Sequence, residues 1–399
     1  MLQKILMALY AIFLFSIPFK NVVFQLSIGL INLVFLFVIV RRKEGILFLK
    51  NLAWLPVALA GLFCSMGISS ALGISGREGW EEMAKHVARF WPFLLATIYF
   101  SRKKWVSADF LGKVITLALF FHAANGIVQF FWGFDLFGRP PLEVAWGEDR
   151  LRGAVYNSNL YGFLMALGVV MAFALGGDKR SADSKASPWV QVFYGGFFIL
   201  AFWTLLQSGS RGAWLGAVGG LMLAGCCIPG FWWRKSTLIS ALLFSGFLGL
   251  LFRTNALFQE RMLAMLAGNT SYRAEVWQEC WRYFLQSPLW GHGIGAYARM
   301  ERVYADISSP HNIFISILLE LGVLGLLSYL FFFGLIIWRI LYFPENQRFR
   351  PVFLGIFTVF LVYGQFGSTM VTDKIYLSCW YLLVALVWAH PGAVGKSFS

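Results

Sequence analysis

Membrane-length apolar runs recur from Ile5 to Trp388, and no other feature constrains the fold of this chain so strongly. Crossing a bilayer as a helix takes roughly 20 apolar residues, and the runs are continuously apolar rather than alternating, which disfavours a β-barrel. Hydropathy places about twelve spans: Ile5–Phe19, Val22–Val40, Leu52–Leu72, Val87–Phe100, Leu111–Phe131, Leu160–Leu175, Val190–Leu206, Ala213–Ile228, Leu238–Phe252, Leu321–Leu341, Val352–Phe366 and Ile375–Trp388. The first is expected to be retained, since no small-residue cleavage site follows it. With 13% charged residues and a mean hydropathy of +0.68, the chain falls outside the soluble globular class, where charge runs near 25%. The expected fold is an all-α polytopic membrane protein, one membrane domain over 1–399.

Orientation follows from the basic residues of the short connections. With the N-terminus cytoplasmic, the inner connections carry Arg41-Arg42-Lys43, Arg102-Lys103-Lys104, Lys179-Arg180 with Lys185, Arg234-Lys235, and Arg348 with Arg350. The short outer ones hold Lys20, Arg211 and Lys374, one each. Both termini then lie inside, and a long polar segment over 253–311 lies outside as a subdomain between the ninth and tenth spans. The formal net charge of +14 needs no nucleic-acid partner, because much of it anchors the inner face to anionic lipid headgroups. The outer face carries twelve arginines against three lysines. Arginine favours planar, bidentate recognition of phosphate, so this bias points to an anionic, phosphate-bearing ligand.

Three outer positions share a local pattern. Ser210 precedes Arg211 at the start of a span, an Asn269-Thr270-Ser271 cluster precedes Tyr272-Arg273 at the start of a helical pattern, and Ser309-Pro310 precedes His311. Each serine suits an N-cap, and proline suits the first helical position. Trp277, Trp281 and Phe284 are expected to form the apolar stripe of the second helix. Cations are electrostatically misplaced at a helix N-terminus, and an anion held by free N–H groups and arginines would account for them. A helix N-terminus and nearby arginines both disfavour imidazolium, so His311 is expected to titrate low and to serve as a general base.

The other outer polar residues carry weaker signals. Arg150, Arg152, Asn157 and Asn159 precede the sixth span and Asp373 the last; the asparagines are more readily helix caps than sugar ligands. The glycines around His292 read as tight-turn backbone, and no strand precedes them, so a dinucleotide fingerprint is rejected. Glu320 is not expected to partner His311, because nine residues along one continuous helix set them on opposite faces. No His, Cys or carboxylate stands at ligand spacing from His311, which disfavours a metal site. The five cysteines show no paired spacing.

Taken in order, Ser210-Arg211-Gly212-Ala213-Trp214, Tyr272-Arg273 with Trp277, Ser287-Pro288-Leu289-Trp290-Gly291-His292-Gly293, and Pro310-His311-Asn312 followed by Leu319-Glu320-Leu321-Gly322 and Gly325 resemble the O-antigen ligase and Wzy-type polymerase superfamily. The resemblance covers about the second half of the chain; upstream, Arg152-Gly153 with Asn159 also resembles the family. It implies a GT-C-like membrane fold in the bacterial inner membrane. It implies transfer of a glycan from undecaprenyl pyrophosphate to an acceptor hydroxyl at the periplasmic face, on a lipid A-core sugar in the ligases. That transfer is inverting and metal-independent, and no cofactor is expected. Carried over, Arg211 and Arg273 would hold the pyrophosphate and His311 would activate the acceptor. Arg152, Asn159, Tyr272 and Asp373 would contact substrate. A length of about 400 residues and a compact outer segment favour the ligases over repeat-unit polymerases and protein O-oligosaccharyltransferases. A lipid transporter gripping a phosphate headgroup is the reading from another class. It predicts paired broken helices or a repeat between halves, and the sequence displays neither.

Overall fold

The computed structural model describes residues 1–19, 22–142, 149–177, 188–228, 246, 249–250, 252–268, 272–302, 304, 307, 309–343, 346–367 and 373–389. Among them the helices are, in chain order, α1 (Leu2–Ser16), α2 (Val22–Arg42), α3 (Gly45–Lys50), α4 (Leu55–Leu72), α5 (Gly76–Arg102), α6 (Ala108–Trp132) and α7 (Ser158–Gly176). There follow α8 (Pro188–Gln207), α9 (Arg211–Cys226), α10 (Ala256–Leu266), α11 (Arg273–Phe284), α12 (Ile313–Tyr342), α13 (Arg350–Gly364) and α14 (Lys374–Ala389). Seven helical segments among the described residues are long and apolar enough to cross a membrane: Leu2–Phe19, α2, α4, α6, α7, α8 and α12. Helices α13 and α14 are shorter apolar ones. The predicted span Leu238–Phe252 lies almost wholly outside the described residues, as do Lys179-Arg180, Lys185 and Arg234-Lys235.

Most of the stretch between the third and fourth predicted spans, residues 73–86, is helical and forms the first part of α5. Exposed Arg77–Glu81 (2.9 Å) and Lys85–Glu82 (2.8 Å) pairs at helical spacing support these turns, which hydropathy alone passes over. The chain divides into two compact units, the first comprising Met1–Lys113, Ser271–Gln347 and Gly364–Ser399, the second Val114–Thr270 and Arg348–Tyr363. The segment expected as one subdomain over 253–311 is thus apportioned to both units, at 270/271.

In the first unit α14 packs on α5 around a polar centre. The Tyr381 hydroxyl lies 2.8 Å from His86 Nε2 and accepts from Trp91 Nε1 at 3.2 Å, while Phe90 stacks on its ring. The Tyr10 hydroxyl meets Thr97 at 2.8 Å. Hydrogen bonds between membrane helices are worth about 0.6 kcal/mol on average, so these contacts fix rotation more than they drive association. Beyond the far end of α5, Lys103 pairs with Glu44 at 3.1 Å, and Arg102 donates to the carbonyls of Asn51 and Trp388.

Helix α12 differs from expectation. The sequence predicts a continuous helix capped at Ser309 that runs into a span from Leu321; the helix instead starts at Ile313 and breaks at Gly322 (φ 66°, ψ −165°), a conformation essentially confined to glycine. A break frees backbone groups, each costing several kcal/mol if left unpaired in hydrocarbon. Residues 288–293 satisfy them on both sides. His292 N donates to Leu319 O and Gly293 N to Glu320 O, both at 2.9 Å; Val323 N donates to Pro288 O at 2.9 Å and Leu324 N to Leu289 O at 3.1 Å. The backbones approach so closely that a Cβ on Gly291 would fall 2.5 Å from Glu320 O, and one on Gly322 2.4 Å from Leu289 O. The glycines around His292 are therefore turn-forming, as expected. Paired broken helices were the mark of the transporter reading; among the described residues α12 is a single broken one, and its partner is a loop.

In the second unit α7 is almost wholly buried and packs against α8 and α9. Small residues permit the approach: a Cβ on Gly220 would lie 2.8 Å from Gly355 O, and one on Gly162 2.5 Å from Ser208 Oγ. The loop after α6 is tied back by side chains. Asp135 Oδ1 accepts from the backbone of Phe137 and Arg139, Asn125 Oδ1 from Leu136 N, and Gln129 Oε1 from Arg152 N and Gly153 N.

Candidate active site

In the first unit Arg273 opens α11, as the sequence predicts. Tyr272 precedes it in the left-handed region (φ 62°), more than half exposed, with its ring 4.9 Å from that of Tyr304. The buried face of α11 is Val276, Cys280 and Phe284 rather than the expected Trp277–Trp281–Phe284 stripe, and Trp281 is 52% exposed. Both sets have helical spacing, so periodicity could not separate them. Val276 and Cys280 pack with Ala296, Tyr297, Met300 and Leu319, which seats α11 on the first turns of α12. Trp277, at the margin of this cluster, donates from Nε1 to Pro310 O at 2.9 Å and so ties α11 to the segment carrying His311.

His311 lies just before α12 rather than in its first turn. Its φ of 53° is incompatible with helix, so the expected Ser309 cap is not formed. Asn312 caps instead, its extended backbone allowing Oδ1 to accept from Phe314 N at 3.0 Å and Ile315 N at 3.1 Å. Ser309 Oγ stands 3.4 Å from His311 Nδ1.

The structure brings Arg273 and His311 together. Arg273 Nη2 donates to Phe366 O at 2.9 Å, and the backbone of the adjoining Gly367 hydrogen-bonds His311. Burial lowers the His311 pKa from its ordinary 6.5, the positive charge of Arg273 lowers it further, and the Gly367 contact opposes both. The ring is thus held neutral and able to accept a proton near neutral pH. A guanidinium and a neutral imidazole, partly sheltered from water, suit an anionic leaving group beside a hydroxyl nucleophile. Glu320 lies down α12, engaged with the loop at 291–295, and is not a partner of His311. Asp373 is the cap of α14, with Oδ1 accepting from Ile375 N at 3.1 Å and Tyr376 N at 3.2 Å.

In the second unit Arg211 opens α9 after Ser210, which occupies the cap position without a side-chain cap bond. Helix α10 packs here, Phe258 against Trp214 with ring centroids 5.3 Å apart. Arg261 follows Leu257 and Phe258 by one turn on the same face, is only 9% exposed, and lies near enough for its like charge to act on Arg211. Arg150 reaches the same loop, donating from Nε to Ser208 O and from Nη2 to Asn159 Oδ1, both at 2.7 Å. A Cβ on Gly209 would stand 2.9 Å from that Nε. Asn159 is therefore held by an internal arginine, and Asn157 caps α7. Arg152 is half-exposed and donates to Pro140 O at 2.8 Å. Sequence reading did not join Arg150 or Arg261 to Arg211; the available signal was the i, i+3 and i+4 spacing of Arg261 from Phe258 and Leu257. Among the described residues no three His, Cys, Asp or Glu side chains gather as they would around a metal ion.

Residues 196–330 match the family model described as O-antigen ligase (Wzy_C). This chain carries an O-antigen ligase domain. The match runs from within α8 to within α12, so it contains Arg211, Tyr272, Arg273 and His311 and leaves Arg152, Asn159 and Asp373 outside. No curated protein matches the chain. Its apolar helices make the chain a multi-pass membrane protein, and over residues 196–330, about a third of its length, it is similar to the O-antigen ligase family.

Proposed function

We propose that this protein is an O-antigen ligase of the bacterial inner membrane, built on a GT-C-like scaffold with its active site and long outer segment on the periplasmic side and both termini cytoplasmic. The donor is a glycan on undecaprenyl pyrophosphate and the acceptor a hydroxyl of a lipid A-core sugar. The pairing of a neutral, half-buried His311 with Arg273 carries this reading. The acceptor hydroxyl attacks the anomeric carbon from the side opposite the pyrophosphate, its proton passes to His311, and the anomeric C–O bond breaks with inversion. Negative charge then grows on the departing phosphate, where a fixed guanidinium is worth more than in the ground state. Arg273 supplies it, and by family resemblance Arg211 serves the same pyrophosphate. Tyr272, Arg152, Asn159 and Asp373 are assigned to substrate on the resemblance alone. No metal enters this scheme, so chelators should leave transfer intact.

Lipopolysaccharide gels from a deletion strain test the reading. Unmodified lipid A-core with accumulated lipid-linked polymer is the expected result. Core capped by a single repeat unit would make the protein a polymerase instead, and an unchanged pattern with blocked lipid traffic would favour a transporter.

A further inference from the structure

We propose that Glu320 is a positioning residue for this transfer, gripping the loop at 288–299 so as to set the direction of the half-helix that follows His311. The inference rests on His311 being the base. Gly322 uncouples Ile313–Leu321 from the rest of α12, so the long span does not dictate where that half-helix points. Glu320 is where it is held. Its backbone carbonyl accepts from Gly293 N at 2.9 Å and from Ser69 Oγ, and its carboxyl group lies close to the backbone of Gly295 and to the Arg299 guanidinium. Arg299 in turn donates to Ser75 O at 2.8 Å and pairs with Glu78 at the start of α5. One residue thus joins the half-helix, the glycine loop and the α4–α5 turn.

An acidic side chain only 5% exposed inside an apolar helix is costly to bury and calls for a reason. Among the described residues its Oε2 makes no hydrogen bond, so the side chain is retained for the Gly295 and Arg299 contacts and not for a saturated network. The leverage is large. Ten residues of helix span about 15 Å, so a tilt of about 4° at Gly322 displaces His311 by about 1 Å. Misplacement on that scale costs on the order of 10²-fold in rate. Because α11 packs on the same half-helix, Arg273 moves with His311, and what changes is their station against Phe366 and Gly367.

Full-length Glu320→Ala and Glu320→Gln variants, reconstituted with lipid-linked donor and lipid A-core acceptor, test this beside wild type and His311→Ala. In Glu320→Ala, kcat should fall on the order of 10²-fold with donor KM little changed. Glutamine keeps an acceptor for Gly295 N–H and should recover most of that loss. Amide hydrogen exchange over 313–321 should quicken in the alanine variant while α14 exchanges as in wild type. Wild-type kcat and wild-type exchange in Glu320→Ala, with His311→Ala inactive, would overturn the proposal. So would kcat and KM changing together with lowered thermal stability and no recovery by glutamine, which would mark a residue of the fold only. If wild type itself transfers nothing, the ligase reading fails, and the exchange data still decide whether Glu320 holds the half-helix.

Discussion

His292 and His311 lie in the same unit, both in glycine- or proline-rich polar segments beside α12, yet their surroundings set them apart. His292 is buried, with Nε2 bonded to Tyr283 O at 2.7 Å and its backbone N–H spent on the broken turn of α12. His311 sits at a left-handed backbone position before Asn312, within reach of the charge of Arg273. The imidazole at 292 is an architectural hydrogen-bonding group, whereas the one at 311 is kept neutral beside a positive charge. Reactivity here comes from the company a side chain keeps, not from its type.

Replacing each histidine sharpens the contrast most. His311→Ala should reduce transfer by about 10²- to 10⁴-fold, the usual worth of a positioned base, while donor binding persists. His292→Gln should retain transfer and lose about 1 kcal/mol of stability, one buried hydrogen bond. In vitro transfer assays and thermal denaturation read both. Equal loss of activity in the two variants would dissolve the distinction.

The sequence allows much of this architecture to be read, and the failures have physical causes. Apolar runs locate most helices because bilayer thickness fixes their length. First-turn placement of Arg211 and Arg273 was visible from the polar residues before them. The break at Gly322 was not, since it depends on a loop of residues 288–293 folding back, a non-local pairing that hydropathy does not encode. The cap at Asn312 was missed because Ser309-Pro310 offered an equally plausible local start, and only the backbone at His311 decides between them. The buried face of α11 was misread by one position, as Val276–Cys280 and Trp277–Trp281 share a period.

Arg273→Gln probes the smaller half of the contrast. Loss of a charge that stabilises the departing phosphate should lower kcat about 10²- to 10³-fold, comparable to removing one oxyanion donor. The pH profile carries more information. A base works in its neutral form, so transfer should rise with pH through the His311 pKa, which burial and then Arg273 hold below the ordinary 6.5. Removing the like charge raises that pKa, so the acid limb of Arg273→Gln should move to higher pH, though burial still keeps it depressed. An acid limb that stays in place, measured on kcat under saturating donor, would mean the two side chains are not coupled.

The smallest expected effect concerns Asp373, given to substrate by resemblance and placed by the structure at the cap of α14. Asparagine caps a helix about as well as aspartate, whereas alanine costs about 1 kcal/mol. If Asp373 serves only as a cap, Asp373→Asn should keep both melting temperature and transfer, and Asp373→Ala should lose stability while the surviving folded enzyme turns over normally. If its charge contacts the acceptor or donor, Asp373→Asn should lose transfer at unchanged melting temperature. The asparagine variant therefore separates cap from ligand, because it removes the charge and leaves the hydrogen bonds to Ile375 and Tyr376 in place.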